Sequence, residues 1–220
     1  MSAPRVRREL TVVTDVAAAA ERHFLALRPR TVALSGGSTP KVLYQRLATA
    51  SYPWAATELF FGDERCVPPD DPDSNFRMAS EALLSKVPAR VHRMHGEDCD
   101  AAGYAADIAA TFGPGIPRFD LIFLGLGPDG HTASLFPGDA ALDEAVKTVL
   151  RVERPDHSRL TLTLPVLCAA KVAMFLVVGE AKRTMLAQLM ADGDIPAARV
   201  AAGRVMVIAD EAAAGGPTAS

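Results

Sequence analysis

An imidazole stands two residues after a carboxylate in Gly125-Leu126-Gly127-Pro128-Asp129-Gly130-His131-Thr132-Ala133-Ser134-Leu135-Phe136-Pro137-Gly138. Imidazole titrates near neutrality, so His131 has the chemistry to take a proton and return it within one reaction. Asp129 is spaced to hold such a ring, or instead to tie down its own loop backbone. The competing reading makes His131 a helix cap or packing residue in a tight strand-to-helix turn. The stretch follows Phe119-Asp120-Leu121-Ile122-Phe123-Leu124, a bulky apolar run expected to be a buried strand. Open α/β sheets bind ligands at the carboxyl ends of such strands.

Three more expected strand ends carry unusual chemistry. Thr31 to Leu34 runs into Ser35-Gly36-Gly37-Ser38-Thr39-Pro40 and then a helix. That arrangement bares backbone N–H groups at a helix N-terminus, where phosphate binds. It matches neither the Walker pattern nor the dinucleotide fingerprint, and Gly and Ser also dominate ordinary turns. Glu58 to Gly62 ends in Asp63-Glu64-Arg65, which would be a solvated charge cluster on an exposed face but here lies at a strand end. Val172 to Val178 ends in Gly179-Glu180-Ala181-Lys182. A lysine in the first turn of a helix opposes the macrodipole by about 0.3–1 kcal/mol, which an anionic partner would offset.

The elements needed to gather these ends are legible. Helices are expected over Asp15 to Leu27, from Pro40 through Val42, Leu43 and Leu47, from Phe76 through Ala79 and Leu83 to Val87, over Asp100 to Phe112, over Pro165 to Ala170, and through Met185, Leu186, Leu189 and Met190. Ser74 or Asn75 is placed to cap the third. Further strands are expected at Leu10 to Val13, Arg90 to Glu97, Val146 to Val152, Arg159 to Leu164 (apolar and polar residues alternating, as in a half-exposed strand) and Val205 to Ala209. Alternation of this kind implies one three-layer α/β/α domain over residues 1–220, with a mostly parallel, Rossmann-like sheet. Residues 1–8 and 212–220 are expected to be frayed tails.

Composition narrows the partners. The formal charge of −3 supplies no field for nucleic acid, and no apolar run approaches the ~20 residues of a membrane span. The first ten residues lack an apolar signal-peptide core. Cys66, Cys99 and Cys168 fit a reducing cytoplasm better than a disulfide scaffold. His92 and His95 stand three apart without a third ligand at suitable local spacing, and are read as structural or surface residues. No cofactor and no metal are expected.

As a set, Ser-Gly-Gly-Ser-Thr-Pro at 35–40, Gly-Asp-Glu-Arg-Cys-Val-Pro at 62–68, Ser-Asn-Phe-Arg-Met-Ala at 74–79, the Gly127 to Gly138 loop, Arg-Leu-Thr-Leu-Thr at 159–163 and Gly179 with Lys182 resemble the 6-phosphogluconolactonases. The motifs run in family order across about residues 31–185. The related glucosamine-6-phosphate deaminases share the Asp-Gly-His core, and Asp63 matches their base. They place tyrosine where this chain has Arg65, and their histidine loop continues into an Asn-Glu-Pro segment that Ser134-Leu135-Phe136-Pro137 lacks.

The resemblance implies hydrolysis of 6-phospho-D-glucono-1,5-lactone to 6-phosphogluconate in the oxidative pentose phosphate pathway, by a monomer or weak homodimer in the cytoplasm. His131 is expected to activate water, with Asp129 orienting it. Arg65 is expected either to steady the oxyanion or to bind phosphate. Lys182, Arg77 and the loop of Ser35, Gly36, Gly37, Ser38 and Thr39 are the expected phosphate ligands, with Asp63 and Gly130 also contacting substrate. A Ser134 nucleophile lacks a Gly-x-Ser-x-Gly elbow. Zinc held by Asp129, His131 and Asp63 would have no recognised ligand spacing. A sugar-phosphate sensor would be expected to carry a DNA-binding extension before residue 10 or after residue 210.

Overall fold

The computed structural model describes residues 7–216. Along the chain the elements are β1 (Arg8–Val13), α1 (Val16–Leu27), β2 (Thr31–Leu34), α2 (Ser38–Leu47), β3 (Glu58–Phe61), β4 (Asp63–Arg65), α3 (Asn75–Ala82), β5 (Arg90–Val91), α4 (Ala101–Phe112), β6 (Leu121–Leu124), β7 (Val149–Val152), β8 (Arg159–Leu162), α5 (Leu164–Ala169), β9 (Val172–Val177), α6 (Arg183–Met190), β10 (Arg204–Asp210) and α7 (Glu211–Ala214). Seven strands form a parallel sheet in the order β1-β10-β9-β6-β2-β3-β5. Helices flank it, giving an α/β fold. The uniformly apolar strands β6 and β9 are wholly buried inside this sheet, as parallel strands covered on both faces must be.

Strand order reverses between β2 and β6. From β2 the sheet grows through β3 to β5, and from β6 it grows through β9 and β10 to β1. The loops leaving β2 and β6 therefore diverge from adjacent strand ends and open a crevice at the sheet's carboxyl edge. Two buried tyrosines fix this edge. The Tyr44 hydroxyl accepts from Ser35 N and donates to Ser35 O, both at 2.9 Å. Tyr104 does the same for Phe61, at 2.8 and 3.1 Å.

A second, antiparallel sheet of β4, β8 and β7 was not expected from the pattern. After Gly62 the chain leaves the parallel sheet, and Asp63 and Glu64 pair with Thr161 and Leu160 instead of ending in solvent. Both carboxylates are buried. The alternation in β8 does not mark a half-exposed strand either, since Thr161 and Thr163 are fully buried. Thr161 Oγ1 accepts from Ser134 N at 3.2 Å and Thr163 Oγ1 donates to Lys147 O at 2.7 Å. Polar side chains that find partners can be buried, so the alternation here tracks two different interiors.

Other boundaries shift. The expected Arg90–Glu97 strand keeps two residues, and Val42 lies on the exposed side of α2 while Leu43, Tyr44 and Leu47 are buried. Arg8, expected in a frayed tail, begins β1, and its side chain pairs with Asp192. Ala212 to Ala214, also expected to fray, form α7, because Asp210 caps it by accepting from Ala213 N at 2.8 Å. Residues 1–6 and 217–220 of the expected tails lie outside the described residues. Cys66 and Cys99, expected as thiols, form a disulfide across 33 positions. The turn at Gly96 brings them together by packing against the backbone of Arg65 and Val67, where a Cβ would lie 2.3 Å from Arg65 O.

Candidate active site

The crevice holds a cavity of about 310 Å³ lined by Ser35 to Pro40 from β2, Asp63 and Arg65 from β4, Gly125 to Pro128 with His131 and Ala133 from β6, and Lys182 beyond β9. Asn75 and Arg159, which the sequence did not single out as ligands, complete its polar wall. Asp129 touches the cavity only through His131.

The imidazole is held at one nitrogen. His131 Nδ1 lies 2.6 Å from Asp129 Oδ1, which also accepts from His131 N at 3.1 Å. With Nδ1–H donating to the carboxylate, Nε2 carries the lone pair, and it has no hydrogen-bond partner among the described residues. Partial burial pushes the Asp129 carboxyl upward, but the backbone and ring hydrogen bonds from His131 outweigh it and hold the group below its ordinary value. Phe136 packs on the ring with centroids 4.6 Å apart. Gly130 makes the loop possible: its φ is +84°, and a Cβ there would meet Ile195 Cβ at 2.6 Å. Gly130 does not line the cavity; its carbonyl accepts from Ala197 N.

The cationic part of the cavity lining is incompletely bonded. Arg65 Nη1 donates to Asp73 O at 2.5 Å and to Asn75 Oδ1 at 3.1 Å, while Arg159 pairs with Asp156 at 2.5 Å. Yet Arg65 Nε, Arg159 Nε and Ser35 Oγ are buried without a hydrogen-bond partner among the described residues. Each such atom costs about 1–3 kcal/mol unless something outside the chain satisfies it. The N-terminus of α2 follows Gly37 with no side-chain cap, so its first N–H groups are open to the same cavity. Lys182 ends a short 3-10 turn rather than sitting inside the following helix; the Gly179 N–H donates to the Asp210 carboxylate at 3.0 Å and holds that turn in place. A phosphate fits this donor set: bare N–H groups, a hydroxyl, guanidinium groups and an ammonium.

One expected phosphate ligand is missing from this site. Arg77 is absent from the cavity, because its Nε pairs with Glu81 at 3.0 Å and its Nη1 donates to Asp70 O at 2.9 Å. Ser134 is fully buried and donates to Asp63 Oδ2 at 2.7 Å, so its hydroxyl is tied to that carboxylate and not to the His131 imidazole. Asp63 is thereby engaged, with Asn75 Nδ2 also 3.4 Å from Oδ1. Glu64 does not face the cavity; its carboxylate accepts from Asn75 N and Phe76 N, both at 2.7 Å, and crowns α3. Burial raises its pKa, and these N–H groups oppose the rise. An acidic residue next to a strand end, eleven positions before a helix start, was the available signal for this cap.

His95 does have acidic neighbours, since its ligand atom and those of Glu97 and Asp98 lie within 4.8 Å of one another. Arg93 already occupies that group, donating to Glu97 and standing 2.8 Å from His95 Nδ1.

Residues 8–208 match the family model described as glucosamine-6-phosphate isomerases/6-phosphogluconolactonase. A 6-phosphogluconolactonase of Synechocystis sp. is 43% identical over 73% of this chain and 71% of its own length. The 6-phosphogluconolactonase of Bos taurus is 38% identical over 84% of this chain and 79% of its own. The structure of 6-phosphogluconolactonase from Trypanosoma cruzi superposes with a TM-score of 0.85 at 29% identity, covering 97% of this chain and 98% of that one.

Proposed function

The chain belongs to the glucosamine-6-phosphate isomerase and 6-phosphogluconolactonase family, and on that premise we propose that it hydrolyses 6-phospho-D-glucono-1,5-lactone to 6-phosphogluconate. One observation carries the reading: a histidine with a carboxylate-held Nδ1 and an unpartnered Nε2 shares a cavity with buried, unsatisfied cationic donors. Ester hydrolysis of an anionic sugar needs both halves.

In this reading phosphate occupies the Ser35–Thr39 loop, the α2 N-terminus and Lys182. Arg65 joins it, since its Asn75 partner packs directly on Gly36. The lactone carbonyl then lies toward His131. Nε2 removes a proton from water as the water oxygen bonds to the carbonyl carbon, and a tetrahedral oxyanion forms. The C–O bond to the ring oxygen breaks next, and the imidazolium returns its proton to that leaving oxygen. Asp129 stabilises the imidazolium between the two steps. No covalent enzyme intermediate is needed.

Amino-sugar deamination is the alternative within the family. Its base would match Asp63, whose carboxylate here is committed to Ser134 and Asn75. The test generates the lactone with glucose-6-phosphate dehydrogenase, follows its loss with and without this protein, and measures ammonia from glucosamine 6-phosphate in parallel. Accelerated lactone loss without ammonia is expected. Ammonia release, or lactone loss at the spontaneous rate, overturns the reading.

A further inference from the structure

A chain of polar contacts, Ser134 to Asp63 to Asn75 to Arg65, runs through the cavity wall, and Asn75 takes no part in the chemistry above. Asn75 is the first residue of α3 and is buried, its N–H taken by Glu64. Its Nδ2 donates to Asp63 O at 2.9 Å, and its Oδ1 accepts from Arg65 Nη1 at 3.1 Å. A carboxamide donates at one tip and accepts at the other, a pairing that neither aspartate nor leucine of similar size can reproduce. The same amide presses on the β2 loop, where a Cβ on Gly36 would lie 1.9 Å from Asn75 Oδ1. Only glycine fits opposite it.

Arg65 Nη1 is consumed by Asn75 and by Asp73 O, while Nε remains buried and unpartnered beside the cavity. An arginine side chain has ample rotamer freedom, so a guanidinium kept in one pose with donors to spare needs an external clamp. We propose that Asn75 is a positioning residue, which fixes the Arg65 guanidinium against the Ser35–Thr39 loop so that its spare N–H groups meet the substrate's phosphate. The inference rests on the lactonase reading for its substrate but not for its geometry.

A double-mutant cycle tests it. Asn75→Ala should raise KM for the lactone about 10- to 100-fold, the usual result of misplacing a charged ligand, with kcat changed less than about threefold. In an Arg65→Ala background the same substitution should change KM by less than about twofold. A merely structural asparagine would give the same loss in both backgrounds, and that additivity overturns the proposal. Should Asn75→Ala fail to fold, Asn75→Ser is polar enough for the buried helix start but too short to bridge Asp63 O and Arg65; its KM penalty should likewise vanish without Arg65. The cycle is repeated on affinity for 6-phosphogluconate by calorimetry, which needs no turnover. An inactive wild type would then sink the lactonase reading alone, while additive affinities would still sink the role of Asn75.

Discussion

Two of the molecule's histidine–carboxylate arrangements, at His92 and at His131, are built for opposite ends. His92, just past β5, is bracketed: Nε2 lies 2.8 Å from Glu58 Oε2 and Nδ1 3.0 Å from Asp107 Oδ2. Its ring lies flat on Phe60, with centroids 4.1 Å apart and planes within 1°, and its side chain is 10% exposed. Both nitrogens are spent on joining β3, β5 and α4. His131 sits on a glycine-rich loop with one nitrogen tied to Asp129 and the other unpaired, and its side chain is 28% exposed. The difference teaches that a nearby carboxylate does not identify a working histidine. On the proposed function, what sets His131 apart is a second nitrogen without a partner among the described residues, on a ring that lines a cavity with cationic donors.

The sharpest way to break this comparison is to remove each ring. His131→Ala should lower kcat by about 10²–10⁴, the usual size of a general acid–base contribution, with stability lowered by less than about 1 kcal/mol because the ring and its Asp129 partner are partly exposed. Steady-state kinetics on enzymatically generated lactone, beside a urea melt, read both quantities. Near-wild-type kcat would deny His131 its role. His92→Ala should show the reverse profile. It leaves Glu58 and Asp107 facing each other without their shared partner, at a cost of about 1–3 kcal/mol in unfolding free energy, while kcat and KM stay at wild-type values. If it instead cuts kcat as His131→Ala does, the division between the two histidines collapses.

The contrast also explains what the sequence could convey. His131, Asp129, the Ser35–Thr39 loop and Lys182 all lie at ends of apolar strands in the parallel sheet, where a hydrophobic run stops at glycine and the next polar residues must reach the carboxyl edge. That rule is local, and it places them without knowing any partner. The cationic wall is not local. Arg159 reaches Arg65 only because β8 pairs with β4, nearly a hundred residues earlier in the chain, and Asn75 reads as a helix cap until Arg65 is found at its other tip. Arg77 was misplaced although its signal is local: Glu81 stands four positions on along the same helix, the spacing at which a carboxylate claims an arginine. The Cys66–Cys99 bond escaped because the spacing of two cysteines says nothing of a turn that folds back on Arg65.

The smallest expected effect separates the two histidine sites by proton linkage. Hydrogen bonds from His131 hold the Asp129 carboxyl below its ordinary value of 3.8 in the folded chain, against the upward push of burial. A depressed folded pKa means that the unfolded chain takes up the proton first as the solution is acidified. The Asp129 contribution is therefore complete above the unfolded value and is lost as pH falls through the folded one. With its side chain 46% exposed, solvent screening keeps that contribution under about 1 kcal/mol. Asp129→Asn has no carboxyl to titrate. Urea midpoints for the two proteins should thus differ near pH 5 and converge as the solution is acidified below about pH 4, with the wild type losing more over that interval. A gap that stays fixed between about pH 5 and about pH 3 would mean the His131–Asp129 contact is absent in solution, and the imidazole would then lack the partner that distinguishes it from a passive loop residue.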